Sequence, residues 1–469
     1  MKHTTTIAAA ITGLAASVSG ETVHGALIFT RHGDRTTKHY GNQQLTPLGQ
    51  TQCFSSGQFY RNLYLSPASS QRINGISEIV YSKSQLYASA PDQDILLNTA
   101  TSFLQGLYPP VPASVHAESL ANGSEVEAPL DGYQYVTLHG VDKFSPDTIW
   151  LKGDESCPAA NTAQKSYQTS EEFKSLESST KDFYQSLYPY LADVYDITEQ
   201  DLSYKNAYDL YDLLNVASIH NSSSAATNLS SETLHQLKTL ADKAELGTNF
   251  DFSKPQGERS MGAMTFAAAV VAHLSKMVES QGEKQKLTVL SGSYDTFLAF
   301  FGWAELLKTD KRFYGLPEYA ATMTFEVFSD SEKFAEEDLK VRFLFRNGTD
   351  SDAKLEQFPL FGKTEQEMRW TQFVQEVQGR GAMTTAQDWC GRCQSSEGFC
   401  KVYEVEATKG EDKKDGGMEG EMIAGIVMIV VGGLALASAA VMFLFVARRK
   451  KEREKKMVKG KVWEDAASV

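Results

Sequence analysis

Positive charge is scarce in this chain: 45 Lys and Arg stand against 59 Asp and Glu over 469 residues, a formal net charge of −14. The shortage deepens over most of the sequence. Nine of the cations crowd into the segment Arg448 to Val469 beside four acids, which leaves −19 for everything before it. So acidic an exterior argues against nucleic acid as a partner. Cysteine is sparse too, at five. Trp389-Cys390-Gly391-Arg392-Cys393 has the spacing of a redox motif, and four thiolates could hold zinc, but a redox motif needs a long domain after it. Here the chain turns polar from Glu404 onward, so neither redox chemistry, a metal nor a cofactor is expected. No internal repeat is evident. With 42% hydrophobic and 22% charged residues, the chain is not globally disordered and can bury a sizeable core.

What is present begins with two apolar runs at the ends. Residues 1–20 carry Lys2 and His3, the run Ile7 to Val18, and small residues three and one positions before Glu21, as a cleavable signal peptide does. Met422 to Ala447 is uncharged and of the length that ~30 Å of hydrocarbon asks of a helix. Arg448, Arg449, Lys450, Lys451 and Arg453 follow it and fix the orientation, because basic flanks stay cytosolic. The reading is a single-pass type I membrane protein of the secretory pathway: an extracellular or luminal ectodomain at 21–403, a stalk at 404–421, a transmembrane helix at 422–447 and a cytosolic tail at 448–469. One lipid bilayer partner is thereby expected. Sequons at Asn122, Asn221, Asn228 and Asn347 all fall between signal and span, as in a glycoprotein. In an oxidising compartment five cysteines suggest two disulfides and one leftover thiol. Cys53, with Gly57, Tyr60 and Tyr64 at helical spacing, reads as the buried odd one. Cys157, Cys390, Cys393 and Cys400 are the disulfide candidates, their connectivity open.

Between the ends, strand and helix patterns alternate. Gly25 to Arg31 is a short apolar run of buried-strand type, followed by a helix that Thr46 caps and Pro47 starts, running to about Leu65. Ile79 to Tyr81 reads as a second strand, and a helix opens at Pro91-Asp92-Gln93-Asp94. Leu287 to Ser291 is strand-like, Thr296 to Leu307 helical, and the alternations Met323-Phe325-Val327 and Val341-Phe343-Phe345 are strands. This predicts an α/β sheet with helices on both faces. From about 131 to 259 strand signals fade and helical patterns such as Glu171 to Leu187 dominate, which predicts an inserted helical subdomain.

The chemistry concentrates at Arg31-His32-Gly33-Asp34-Arg35, just past a strand's C-terminal end, where open α/β sheets place ligands. Two guanidiniums beside one imidazole suit a phosphate: they neutralise its charge, and they lower the imidazole pKa so that a neutral nucleophile can attack phosphorus.

That segment, followed by Leu45-Thr46-Pro47-Leu48-Gly49, resembles the histidine acid phosphatases. So do Ala100 to Pro110 (A-x-x-F-L-x-G-L-x-P-P), Val289 to Thr296, and Leu316 to Phe328 (P-x-Y-A-x-x-x-x-F-E), and the likeness covers nearly the whole ectodomain. It implies a phosphoglycerate mutase-like three-layer α/β fold and hydrolysis of a small phosphomonoester through a phosphohistidine. His32 would be the nucleophile, Arg31 and Arg35 the phosphate clamp, and Asp295 the acid that protonates the leaving alcohol. Two family positions depart. A third arginine is replaced by Ser89, with no arginine anywhere from Ile73 to Glu258, and a second histidine is replaced by Tyr294, with none after His273. Losing two preorganised donors would cost on the order of 5 to 8 kcal/mol if they act independently. Asp92 and Asp94, placed near the site, would repel phosphate further. Lys83 or a histidine of the insert could compensate. An acid phosphatase is expected, with a pseudophosphatase that binds a phosphorylated ligand as the alternative.

Overall fold

The computed structural model describes residues 20–191 and 196–403. The expected signal peptide up to residue 19, the stalk, the transmembrane helix and the basic tail lie outside the described residues. The described residues form one compact unit. The whole sheet, every buried hydrophobic cluster and both disulfides fall within 20–403, so this unit carries its own core.

Eight strands build one sheet: β1 (Thr22–Arg31), β2 (Leu86–Pro91), β3 (His139–Val141), β4 (Leu287–Gly292), β5 (Thr322–Ser329), β6 (Lys340–Arg346), β7 (Leu355–Phe358) and β8 (Glu367–Arg369). Their order is β8-β6-β5-β1-β4-β2-β3, with β7 also paired to β6. The β1, β4, β2 and β3 strands run parallel, while β5 turns antiparallel against β1. Parallel pairing buries both faces, and the side chains of β1 divide accordingly. Ala26 and Ile28 pack with Tyr60, Phe103 and Leu107 of the helical pair α1 (Pro47–Tyr60) and α2 (Asp94–Leu107). Leu27 and Phe29 pack with Phe266, Val270 and Phe297 of α5 (Met261–Glu279) and α6 (Tyr294–Trp303), numbered after two helices of the insert given next. The fold is the expected α/β sheet with helices on both faces.

The stretch from 131 to 259 is mostly helical, including α3 (Ala207–His220) and α4 (Ser231–Asn249), with a hydrophobic cluster of its own around Tyr184, Leu213 and Leu237. Its first residues nonetheless serve the sheet: His139–Val141 is the edge strand β3, too short to show an alternating pattern. Two other expectations are corrected. The second strand is Leu86–Pro91, not Ile79 to Tyr81, and Pro91 ends that strand where it was expected to open a helix, so α2 begins at Asp94. α5 is the one helix among the described residues long and apolar enough to cross a membrane, and it is largely buried in the core.

Cys157 bonds Cys393, at the end of α8 (Ala386–Cys393; α7 is Trp370–Gly379), and Cys390 bonds Cys400, while Cys53 is free and buried. Asn122, Asn221 and Asn228 are exposed; Asn347 is half-buried and its side-chain oxygen accepts from the Glu318 amide at 2.8 Å.

Candidate active site

β1 delivers His32 to the C-terminal edge of the parallel strands. Arg31 lies beside Gly292 of β4, and the His32 amide donates to the Gly292 carbonyl at 3.2 Å. The chain then turns sharply against α1. A Cβ on Gly33 would sit 2.3 Å from the Gly49 carbonyl oxygen, so only glycine lets the loop press this closely on the helix start. Thr46 caps that helix through the Gly49 amide at 3.1 Å and donates its hydroxyl to Asp34. The loop is thus tied to a rigid helix end.

His32 is 3% exposed. Its Nδ1 lies 2.9 Å from the Gly33 carbonyl oxygen, which can only accept, so Nδ1 carries the proton and Nε2 keeps its lone pair. Burial, then Arg31 and Arg35, then Lys152 hold the imidazole pKa well below its ordinary value against the opposing pull of the Gly33 carbonyl. A neutral imidazole in a single orientation results.

Both flanking guanidiniums are buried and anchored. Arg31 donates to the Pro317 carbonyl and lies between the rings of Tyr319 (4.7 Å) and Tyr294 (5.5 Å). Arg35 pairs with Asp212 of α3 at 2.8 Å and donates to the Tyr208 hydroxyl at 2.9 Å. Although burial opposes its charge, Tyr208 and Asp212 raise its pKa. In each, Nε is buried with no hydrogen-bond partner among the described residues, and so is Asp295 Oδ1 in the first turn of α6. Buried polar atoms are rarely left unpaired. Both arginines and the expected acid thus keep hydrogen-bonding capacity unused by the described residues.

The insert supplies the residues that sequence reading missed. Lys152, 5% exposed, reaches the Ser293 hydroxyl at 3.2 Å and Glu155 at 2.8 Å, and acts electrostatically on both His32 and Asp295. Burial opposes its charge, but Asp295, Glu155 and Asp154 raise its pKa. Burial and the Asp295 carboxylate push Asp154 up to about 6, against the pull of Lys152. A histidine of the insert also arrives: His220 Nε2 lies 2.6 Å from Asp34. Lys83 does not, because it precedes β2 and so stands at the far end of the sheet. Asp92 and Asp94 are exposed and are not among the groups acting on His32.

The two departing positions are buried and occupied. Ser89 on β2 donates to the His139 carbonyl at 3.1 Å. Tyr294 donates to Glu245 at 2.9 Å and packs on Tyr208 with ring centroids 4.9 Å apart. Burial raises the pKa of Glu245 and of Tyr294.

A sequence profile of the histidine phosphatase superfamily (branch 2) matches residues 36–346, beginning one residue past Arg35. Among solved structures the fold is similar to that of the phytase of Klebsiella sp ASR1, with a TM-score of 0.52 at 11% identity over 77% of this chain and 96% of that one. Hafnia alvei phytase follows at 0.49, with 12% identity over 77% and 97%. The multiple inositol polyphosphate phosphatase of Bifidobacterium longum reaches 0.45, with 11% identity over 78% and 94%. No curated protein matches by sequence.

Proposed function

The chain belongs to the histidine phosphatase superfamily, branch 2, and from that membership we propose that it is a membrane-anchored acid phosphatase that hydrolyses phosphomonoesters through a phosphohistidine on His32. The observation that carries the reading is the imidazole itself, kept neutral with Nε2 unprotonated beside two guanidiniums whose buried Nε atoms have no partner among the described residues. In the first step Nε2 attacks phosphorus, the ester P–O bond breaks, and Asp295 gives its proton to the departing alcohol. In the second, Asp295 takes a proton from water, whose oxygen attacks phosphorus, and the P–N bond breaks to release phosphate. Arg31, Arg35 and Lys152 neutralise the charge on the transferring group. Lys152 stands in for a cation missing at Ser89.

The substrate class follows from charge. Arg31, Arg35, Lys38 and Lys152 share this region with Asp34, Asp154, Glu155, Asp212, Glu245 and Asp295. That balance favours a small singly phosphorylated ester over a polyphosphate. The run at 422–447 would tether the domain to the extracellular or luminal side of one bilayer.

A second reading, a pseudophosphatase that binds a phosphorylated ligand without efficient turnover, is favoured by Arg35 being already paired with Asp212 and by Ser89 and Tyr294 at the two departing positions. One experiment separates the two. The secreted 21–403 fragment, mixed at pH 5 with a 32P-labelled phosphomonoester and quenched, should carry acid-labile label on His32 and release free phosphate, and His32→Ala should abolish both. Label without turnover, with activity appearing in Ser89→Arg/Tyr294→His, establishes the second reading. Turnover unchanged in His32→Ala eliminates the nucleophile.

A further inference from the structure

Two cavities lie on the α5-covered face of the parallel strands: the first reaches toward their C-terminal ends, where Ser89 and Val141 line it, and the second lies at their N-terminal ends, away from His32. The first, about 370 Å³, is walled by Ala268, Ala269 and Ala272 of α5, by Leu290 of β4, and by Trp150 and Leu151. The second, about 330 Å³, is lined by Lys83 before β2, Lys284 before β4, His139 of β3 and Gln285. Tyr87 and Lys276 line both. The Tyr87 ring is held between His139 (5.0 Å) and His273 (4.8 Å), with the Lys276 ammonium 5.8 Å above it.

The chambers differ in chemistry. No carboxylate lines the second, and Lys83, Lys276 and Lys284 form no ion pair among the described residues. In a chain of net charge −14, three uncompensated ammoniums around one cavity are a local reversal of sign that concentrates anions. The first chamber is mainly apolar, and the polar groups that face Tyr87 within it are engaged elsewhere: Ser89 with the His139 carbonyl, and His273 Nδ1 with Gln285 at 2.9 Å. Burial pushes His273 down to about 4, so it adds no charge at neutral pH. Asp147 is the one carboxylate in its lining, and the Trp150 indole faces it at 3.4 Å.

We propose that the two chambers are one binding site for a single-chain amphiphile with an anionic head, its alkyl chain against the alanines of α5 and its head among Lys83, Lys276 and Lys284. The first chamber, at about 370 Å³, is of the size of a small-molecule site, and a decyl chain is the probe for it. The head group would lie at the N-terminal ends of the strands, away from His32, so the occupant is not the phosphatase substrate, although its chain would reach Ser89.

Titration of the 21–403 fragment with decanoate and with decylphosphonate, followed by calorimetry and by Trp150 fluorescence, tests this in a His32→Ala background so that the phosphatase site is silent. Saturable one-to-one binding is expected, weakened roughly fourfold for each methylene removed. Lys276→Gln/Lys284→Gln should weaken it at least tenfold, and Ala272→Trp, an exposed position at the chamber wall, should abolish it with the melting temperature unchanged. Preference for decanoate identifies a carboxylate head, and preference for decylphosphonate a phosphate-type head. Equal binding of uncharged octyl glucoside removes the role of the lysines, equal binding of acetate removes that of the apolar chamber, and no binding of either decyl anion overturns the proposal.

Discussion

Asp212 holds Arg35 in an ion pair 2.8 Å long, both side chains almost wholly buried, and the same carboxylate accepts from the Thr37 hydroxyl at 2.9 Å and the Lys38 amide at 2.7 Å. One residue of the insert thus fastens three successive parts of the loop that follows His32. Its neighbours on α3 extend the clasp, Tyr208 to Arg35, Asp209 to His39 at 2.8 Å and His220 to Asp34. The arrangement fixes Arg35 and also sets a carboxylate in competition with phosphate for its charge.

The two effects separate in Asp212→Asn. The amide keeps the shape and part of the hydrogen bonding but leaves a buried guanidinium without its counter-charge, which costs ~3 kcal/mol of stability. Orthovanadate should meanwhile bind roughly tenfold tighter, ~1.4 kcal/mol, because Arg35 is no longer neutralised. Urea unfolding and vanadate titration of the same preparation report both. Stability falling with vanadate affinity unchanged or weaker would show that Asp212 only positions the arginine.

The proposed role of Lys152, as the cation that Ser89 does not supply, is tested by removing its charge. Lys152→Met keeps the buried stem and removes the charge that reaches both His32 and Asp295. Turnover should fall by ~10² while the fold survives, the usual loss for one preorganised cation at a transferring group. Adding Ser89→Arg to Lys152→Met should restore part of it. Full activity in Lys152→Met would place the ammonium outside the reacting centre.

Half of this site was legible along the chain. Arg31, His32 and Arg35 fall within five residues, and the apolar run before them together with Thr46-Pro47 after them marks a strand end and a helix start whatever the tertiary structure. The β4, β5 and β6 strands were equally readable, because continuous or alternating large apolar residues have few other uses. Leu86–Pro91 was not: its Ala, Ser and Pro lack strand propensity, and its pairing with β4 and β3 decides the matter. Lys152, Asp154 and Asp212 were illegible for a different reason. Each is an ordinary charged residue in a polar segment, brought to the loop from more than a hundred residues away by the packing of the insert, and no local pattern encodes that. Cys53 was identified by its helical neighbours, whereas the pairing of the other four cysteines needed the coordinates.

Acid should weaken the fold through His273. Its pKa is about 4 in the folded protein against an unfolded value near 6.5, so below pH 6.5 the unfolded chain binds a proton that the folded one refuses, and stability is lost as pH falls toward 4. His24 and His32 shift in the same direction. Asp154 opposes them: its raised pKa of about 6 lets the folded state take up a proton first, which adds stability between about 6 and 3.8. Between pH 7 and 5 the His273 contribution amounts to ~2 kcal/mol. His273→Gln should reduce the loss of unfolding free energy over that interval by about this much. An identical pH dependence in variant and parent would mean that His273 titrates normally.

The last expectation concerns what holds Lys152 in place. Its loop is bolted from the C-terminal side twice, by the Cys157–Cys393 disulfide and by the Trp389 indole donating to the Gly153 carbonyl at 2.7 Å. The disulfide spans 236 residues, so in the chain-entropy view it restrains the unfolded state by about 5 kcal/mol, against about 3 for Cys390–Cys400, which spans ten. Cys157→Ser/Cys393→Ser should therefore unfold at lower urea than Cys390→Ser/Cys400→Ser. Under conditions where both remain folded, only the first pair should lose turnover, because it alone loosens the segment that carries Lys152 and Asp154. If the two pairs lose turnover equally, the cross-link acts on the fold as a whole and not through Lys152.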